Sequence, residues 1–394
     1  MACLTCISSS WESPIADVRA LPGIRYADAG RLSTLIAPPY DVIPDADLPR
    51  YQALSPHNVI RLIRPGTDYE GAARLFDEWI SSGVLHEDPP SMYLHEVRFG
   101  GRRRLDLIAA LRLQPYEDRV VLPHERTHRG PKEDRLALMR AIKSSLEPLW
   151  FTYEARAIDL TDLIAGTAEG TLLATFTGPE GTSHHLWAIT DPSAHAAVHA
   201  AFEHLPVLIA DGHHRYETTL AYSQEIGGAP DAASRFTLAL LTDIDDPGLE
   251  ALPTHRVLKA GVAVTGGEDK PNLEETLAAL KGQVAAGSYR AGKFQVHLLE
   301  GEVALVALHR QVIDNILGKR SPEEFLMYTR DAVEAVRWVD EGVGVAAFFL
   351  DAPDLHVVLK LAQEGKTLPQ KSKYFYPKPP SGMVFHRLDP SRRL

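Results

Sequence analysis

Asp211, His213, His214 and Arg215 stand together in the run Leu205-Pro-Val-Leu-Ile-Ala-Asp-Gly-His-His-Arg-Tyr-Glu-Thr-Thr219. Two imidazoles, a guanidinium and a carboxylate this close can grip an anion and move a proton beside it. A helix macrodipole disfavours cations in the first turn. Such residues at a helix start therefore describe an anion site, where backbone N–H groups share the binding and phosphate is the usual guest. Gly212, His213 and Arg215 are the expected phosphate ligands. Asp211 and His214 are expected to do acid–base work, and Asp211 can also hold a metal ion. Local hydrogen bonds, or an Arg215–Glu217 pair, would be the plain structural use of the same residues. The strand before them favours function, because α/β proteins place ligands at strand-to-helix junctions.

The elements that must position this group are legible. Leu205 to Ala210 reads as a short buried strand. Asp211 is a good N-cap residue, Gly212 allows a sharp turn, and the helix runs on through Leu220, Ala221 and Tyr222.

Three further clusters could join it. His124, Glu125, Thr127, Lys132 and Arg135 lie in a charged stretch that enters a helix after Gly130-Pro131. Lys132 and Arg135 suit phosphate oxygens, and Glu125 suits a base. His124-Glu-Arg-Thr-His128 also spells the H-E-x-x-H zinc motif. That motif works only on a helix, and Pro123 and Gly130-Pro131 argue against one here. Thr254, His255 and Arg256 sit at a strand end that could face a pocket. Lys371, Lys373 and Lys378 flank Tyr374, Phe375 and Tyr376, with Ser372 beside them. That mixture suits single-stranded nucleic acid, or a small anion closed under a C-terminal segment. The net charge of −11 favours the second reading and argues against a nucleic-acid binder.

The chain of 394 residues is long enough for two domains, expected at 1–155 and 156–394. Cys3 and Cys6 form a lone C-x-x-C, which argues against structural zinc or a disulfide framework. No apolar run is long enough to cross a bilayer, and the N-terminus lacks the features of a signal peptide, so the expected location is cytoplasmic.

Periodicity predicts helices at Tyr69 to Ser82, Lys132 to Leu146, Pro192 to His204, Leu273 to Leu280, Val333 to Asp340 and Leu355 to Glu364. Strands are expected at Met92 to Phe99 and Leu105 to Leu113, a hairpin about Gly100-Gly101. Others are expected at Leu149 to Tyr153, twice between Thr171 and Ile189, and at Arg235 to Thr242 and Val343 to Leu350. Phe294 to Leu299 and Val303 to Leu308 read as a further hairpin, and 261–270 as a loop. The fold class is α+β (mixed α/β), with hairpin-rich mixed sheets and packed helices.

Five motifs occur in order: APPYDVI (Ala37–Ile43), HE-x-T with its following K-x-D-R (His124–Arg135), DGHHRYET (Asp211–Thr218), PTHR (Pro253–Arg256) and PQKS-x-YFYPK-x-x-SG (Pro369–Gly382). Together they resemble domain-of-unknown-function family 1015. Lys373 departs from the pattern, which has a small hydroxyl residue there. The DGHHR element is also similar to that of the ParB and sulfiredoxin-like superfamily, which includes free-serine kinases. The resemblance implies a ParB-like phosphate-binding domain and phosphoryl transfer to L-serine, giving O-phospho-L-serine. The donor it implies is pyrophosphate or a nucleotide (ADP or ATP), with Mg²⁺. No Walker A loop, G-x-G-x-x-G or kinase catalytic loop is present, which favours pyrophosphate. A phosphoserine phosphatase or other phosphohydrolase, and a non-catalytic ParB-like nucleotide- or DNA-binding module, are the alternatives.

Overall fold

The computed structural model describes residues 16–125, 130–154, 171–261, 266–318, 320–369 and 371–394, with the backbone alone at 130–132 and 323. Cys3, Cys6, Thr127, His128 and the Lys132 side chain lie outside the described residues.

A nine-stranded mixed sheet forms the larger layer. Its strands are β1 (Val18–Arg19), β2 (Met92–Phe99), β3 (Arg102–Arg112), β4 (Val121–Leu122) and β5 (Leu149–Tyr153). They continue as β6 (Leu172–Thr177), β7 (Ser183–Ile189), β8 (Val207–Asp211) and β9 (Phe236–Asp243). The order is β4-β8-β5-β9-β3-β2-β7-β6, with β1 on β3. β8 runs parallel to β4 and antiparallel to β5; β9 runs parallel to β5 and antiparallel to β3. The boundary expected between 155 and 156 runs through this sheet, since β1–β5 precede it and β6–β9 follow it.

Side chains alternate across the sheet, as a period of two requires. Leu107, Ala109 and Leu111 of β3 enter one apolar cluster with Phe151 and Leu241. Ile108 and Ala110 enter the cluster on the other face, with Trp150, Leu238 and Leu240. Helix α1 (Tyr69–Ser81) covers that second face with Ala72, Phe76 and Trp79. It starts where Asp68 accepts a hydrogen bond from the Gly71 N–H at 2.8 Å, an N-cap. Helices α2 (Gly130–Ile142), α3 (Pro192–Phe202) and α4 (His213–Ile226) complete this part.

A second sheet follows. After β10 (Glu250–Pro253) come β11 (His255–Leu258), β12 (Glu268–Lys270), β13 (Ala285–Arg290), β14 (Lys293–Leu298), β15 (Leu326–Thr329) and β16 (Ala346–Phe349). The last six form an antiparallel sheet in the order β12-β14-β13-β16-β11-β15. Helices α5 (Leu273–Leu280) and α6 (Ala332–Asp340) pack on it, and α7 (Leu355–Gln363) packs against β4 of the first sheet. The two sheets share one apolar cluster: Leu122 and Leu208 of the first meet Leu258, Leu326 and Phe348 of the second. The chain then returns as a strap whose strand β17 (Lys373–Tyr376) pairs with β10.

Mixed sheets and packed helices match the expected class. The 293–308 hairpin does not form. Lys293–Leu298 pairs back onto β13 about a turn at Ala291-Gly292, and Ala304–Leu308 is a short helix. A five-residue apolar run cannot by itself tell strand from buried helix. Part of the 261–270 loop is strand β12. Among the described residues no helix is long and apolar enough to cross a membrane.

A buried polar chain ties the strap to the first sheet. Asp106 accepts hydrogen bonds from Arg104 Nε at 2.9 Å and Thr242 Oγ1 at 2.5 Å, and faces His95 Nδ1 at 2.9 Å. His95 Nε2 meets His184 Nδ1 at 2.8 Å. Arg104 lies 4.3 Å over the Trp150 ring and donates to the Pro377 carbonyl of the strap at 2.9 Å. Burial would raise the Asp106 pKa, but Arg104 and His95 outweigh it and hold it at about 2.

Two predictions follow from burial. Arg104→Leu takes the guanidinium from a buried carboxylate, and urea unfolding should show a loss of about 3–5 kcal/mol. Burial also depresses His184, His255, His309 and His386, to about 2, 4, 3 and 4. Unfolding lets these rings protonate near their ordinary 6.5, so stability is full above that pH and falls as pH drops towards their folded values. Each ring can contribute up to about 2 kcal/mol of loss at pH 5. Urea midpoints that stay flat from pH 7.5 to pH 5 would contradict this.

Candidate functional site

The strand β8 ends at Asp211, and Gly212 turns the chain into α4 with φ of 101°. This left-handed turn is where glycine is needed. A Cβ there would meet Leu149 Cδ2 at 2.8 Å. The N-cap is Gly212 and not Asp211, a correction to the sequence reading. The Asp211 carboxylate is drawn away into ion pairs. Its Oδ1 accepts from Lys378 Nζ at 2.8 Å and its Oδ2 from Arg215 Nη2 at 2.9 Å. Lys378 also reaches Asp41 at 3.2 Å, and Arg215 donates to the Pro148 carbonyl at 3.0 Å. Burial alone would raise Asp211; Lys378 and Arg215 hold it at about 2. Burial would lower Lys378, but Asp211 and Asp41 raise it above the ordinary lysine value.

A second polar group forms around Glu125, whose backbone bridges to Leu368. Its carboxylate accepts from the Ser372 N–H at 2.8 Å, the Ser372 hydroxyl at 2.5 Å and the Lys371 N–H at 3.2 Å. Burial would raise the Glu125 pKa, but the imidazole of His124, 3.5 Å away, and then His213 and the Ser372 hydroxyl outweigh it and lower it. The His124 N–H donates to His213 Nε2 at 3.2 Å, and the two rings meet edge-on at 4.5 Å. Burial, then His124, depress His213 to about 3. His213 is therefore a neutral acceptor at physiological pH and not the cation the sequence suggests.

Both groups face one cavity of about 510 Å³ between the first turn of α4, the end of β15 and the strap. Of the expected site residues, Glu125, Asp211, Gly212, His213, His214 and Arg215 line it, joined by Thr254, Lys371 and Lys378. Four others stand behind the wall. His124 and Ser372 hold Glu125. His255 is buried beside Phe349, where its Nδ1 accepts from the Leu350 N–H at 3.4 Å. Arg256 is buried, donating to the Thr254 carbonyl and, at 2.9 Å, to that of Lys371. It positions the strap and does not line the cavity. Arg135 is also elsewhere: it pairs with Asp134, donates to the Ile63 carbonyl at 2.9 Å and lies 4.4 Å over the Tyr40 ring. A phosphate clamp at Arg135 is corrected on that ground. His124 and Glu125 precede α2, and the remaining letters of the H-E-x-x-H spelling lie outside the described residues.

Lys373 and Tyr374 of the C-terminal cluster line it too, as do Tyr40, Asp41, Tyr328 and Arg330, to which the sequence assigns no role. APPYDVI held Tyr40 and Asp41 in plain sight, but as a motif without assigned chemistry. Tyr328 and Arg330 reach the cavity only through β15, which carries no local motif.

The model of DUF1015, a family of proteins of unknown function, matches residues 18–355. The chain belongs to this family. Free serine kinase in complex with AMP is similar over 65% of this chain and 83% of that one, at 14% identity and a TM-score of 0.38. A conserved hypothetical protein from Pyrococcus furiosus matches over 68% and 92%, at 15% identity and a TM-score of 0.38. A variant of free serine kinase in complex with ADP matches over 65% and 84%, at 13% identity and a TM-score of 0.38. No curated protein matches the chain.

Glu125→Gln should loosen the strap, because an amide offers one acceptor atom to three donors. Losing one charge-assisted hydrogen bond is worth about 1.5 kcal/mol, which is on the order of tenfold in opening. Trypsin should then cut after Lys371 or Lys373 about tenfold faster than in the wild type.

Proposed function

We propose that this protein is a small-molecule phosphotransferase that moves a phosphoryl group onto the hydroxyl of free L-serine, giving O-phospho-L-serine, with pyrophosphate the favoured donor. One observation supports this most: a cavity rich in cations opens on the first turn of α4 in a chain of net charge −11. Arg215, Arg330, Lys371 and Lys378 line it against Asp41, Glu125 and Asp211. Helix N–H groups and amines are the usual partners of phosphate oxygens.

The donor's phosphates would lie at Gly212–His214, with Lys378 and Arg215 beside them. Phosphoryl transfer asks the protein chiefly for alignment and charge stabilisation. Asp211 and Glu125, both held ionised, can orient the serine hydroxyl. Asp211 is a weak base, since two cations already share its charge. His214, half-buried in the same turn, is the remaining acid–base candidate.

The Mg²⁺ expected at Asp211 does not fit these side chains. Both carboxylate oxygens are taken by cations, and among the described residues no group of three or more His, Cys, Asp or Glu could hold a metal ion. No step here runs through a protein-bound metal.

The test is product analysis. The protein is incubated with L-serine, magnesium chloride and, in turn, pyrophosphate, ADP or ATP. Phosphoserine should form, fastest with pyrophosphate, and Asp211→Asn should lower turnover by about 100-fold or more while keeping the native circular dichroism spectrum. Release of inorganic phosphate without phosphoserine would mean a hydrolase instead. No turnover with any donor would reject catalysis.

A further inference from the structure

Lys373 is the feature of the cavity that neither the resemblance nor the proposed mechanism uses. It lies on β17 opposite Pro253, where strand alternation turns Lys373 and Phe375 inward. Its side chain is only 8% exposed, yet it lines the cavity. Its Nζ is shielded from water, has no hydrogen-bond partner among the described residues and sits 4.7 Å over the Phe375 ring. Of the other two cavity amines on the strap, Lys378 spends its charge on Asp211 and Asp41, and Lys371 Nζ lies 5.4 Å over the Tyr328 ring. Among the described residues Lys373 has no carboxylate in salt-bridge contact.

A buried amine without a partner is costly, and the cost grows when it is charged. What the geometry lacks is an acceptor; the residue lines the cavity although its Nζ is turned onto Phe375, and rotation about the terminal bonds of the flexible lysine stem would present the amine to an anion there. We propose that Lys373 is an anion anchor: its Nζ binds an anionic oxygen, phosphoryl or carboxyl, of the ligand that fills the cavity. The assignment rests on reading the cavity as an anion site and not on turnover. The titratable groups facing the amine are Glu125 and His124 after β4 and His213 on α4. Burial lowers Lys373 to about 7, only partly opposed by Glu125. A ligand anion adds negative charge and draws a proton from solvent onto the amine. The same charging removes Lys373 as a base, since an ammonium cannot accept the serine proton.

The test compares wild type with Lys373→Thr, the small hydroxyl residue of the family pattern, and Lys373→Met. Calorimetry at pH 8 uses pyrophosphate, L-serine and O-phospho-L-serine as separate probes, each in HEPES and in Tris. At least one probe should bind tenfold or more weakly to both variants. Loss with pyrophosphate places a donor oxygen at Lys373; loss with L-serine places the acceptor carboxylate there. For that probe the two buffers should show wild type taking up about one proton more than Lys373→Thr. Both variants should melt at or above the wild-type temperature, because an unpartnered buried amine has been removed. Equal affinities across wild type and variants overturn the anchor, as does failure of wild type to bind any probe. Lys373-dependent binding without phosphoserine formation would reject the kinase reading and keep the anchor; phosphoserine formation with unchanged affinities would do the reverse.

Discussion

The Asp211 carboxylate, held between Lys378 and Arg215, is the interaction on which the site depends. Asp211 closes a strand, Arg215 begins the next helix, and Lys378 arrives from 167 residues away. A carboxylate buried at a strand end is unfavourable without cations beside it. A lysine held away from water likewise needs a carboxylate. Each satisfies the other only if the strap crosses the mouth of the strand–helix junction. One electrostatic requirement thereby joins the strand–glycine–helix turn to a C-terminal segment that no local propensity would bring there.

That join is reinforced at three other places. Glu125 receives the strap's N-terminal end through Ser372 and Lys371. Arg104, anchored on Asp106, receives the Pro377 carbonyl. Ser381 donates to Glu147 at 2.6 Å. All three partners come from the first 147 residues, and the second sheet adds Arg256 from behind. Asp106 in turn sits in a fully buried chain with His95, Thr242 and Arg104. The polar interior of the large sheet and the position of the cavity wall are thus parts of one network, where low dielectric makes a complete set of partners strong and an incomplete one costly.

This explains what could be read from the sequence and what could not. The strand, the glycine turn and the helix around DGHHR are local, and the sequence shows them because periodicity and backbone freedom are local properties. Lys378 and Ser372 were recognisable as polar residues among aromatics, but not their partners, because pairing is set by topology. His213 illustrates the difference. In sequence it is one more cation in a basic knot; in the fold, burial and the His124 N–H make it a neutral acceptor. Arg135 shows the same error in reverse, since a phosphate-like spacing placed it on Tyr40 and Ile63. The 293–308 segment failed for a simpler reason, as two short apolar runs carry no period long enough to separate strand from helix.

The charge distribution argues for the size of the guest. A polyanion such as nucleic acid must lie along a broad basic face, and a protein of net charge −11 repels it over most approaches. A small anion feels the surface only until it enters the cleft, where low-dielectric walls focus the field of the lining cations. A cavity of about 510 Å³ matches a small molecule rather than a polymer strand. Inside it, fixed ion pairs set the shape while Lys373 has no hydrogen-bond partner among the described residues. The cavity walls are therefore preorganised around carboxylates of the protein itself, and Lys373 is the buried amine there whose charge no contacting carboxylate of the described residues balances.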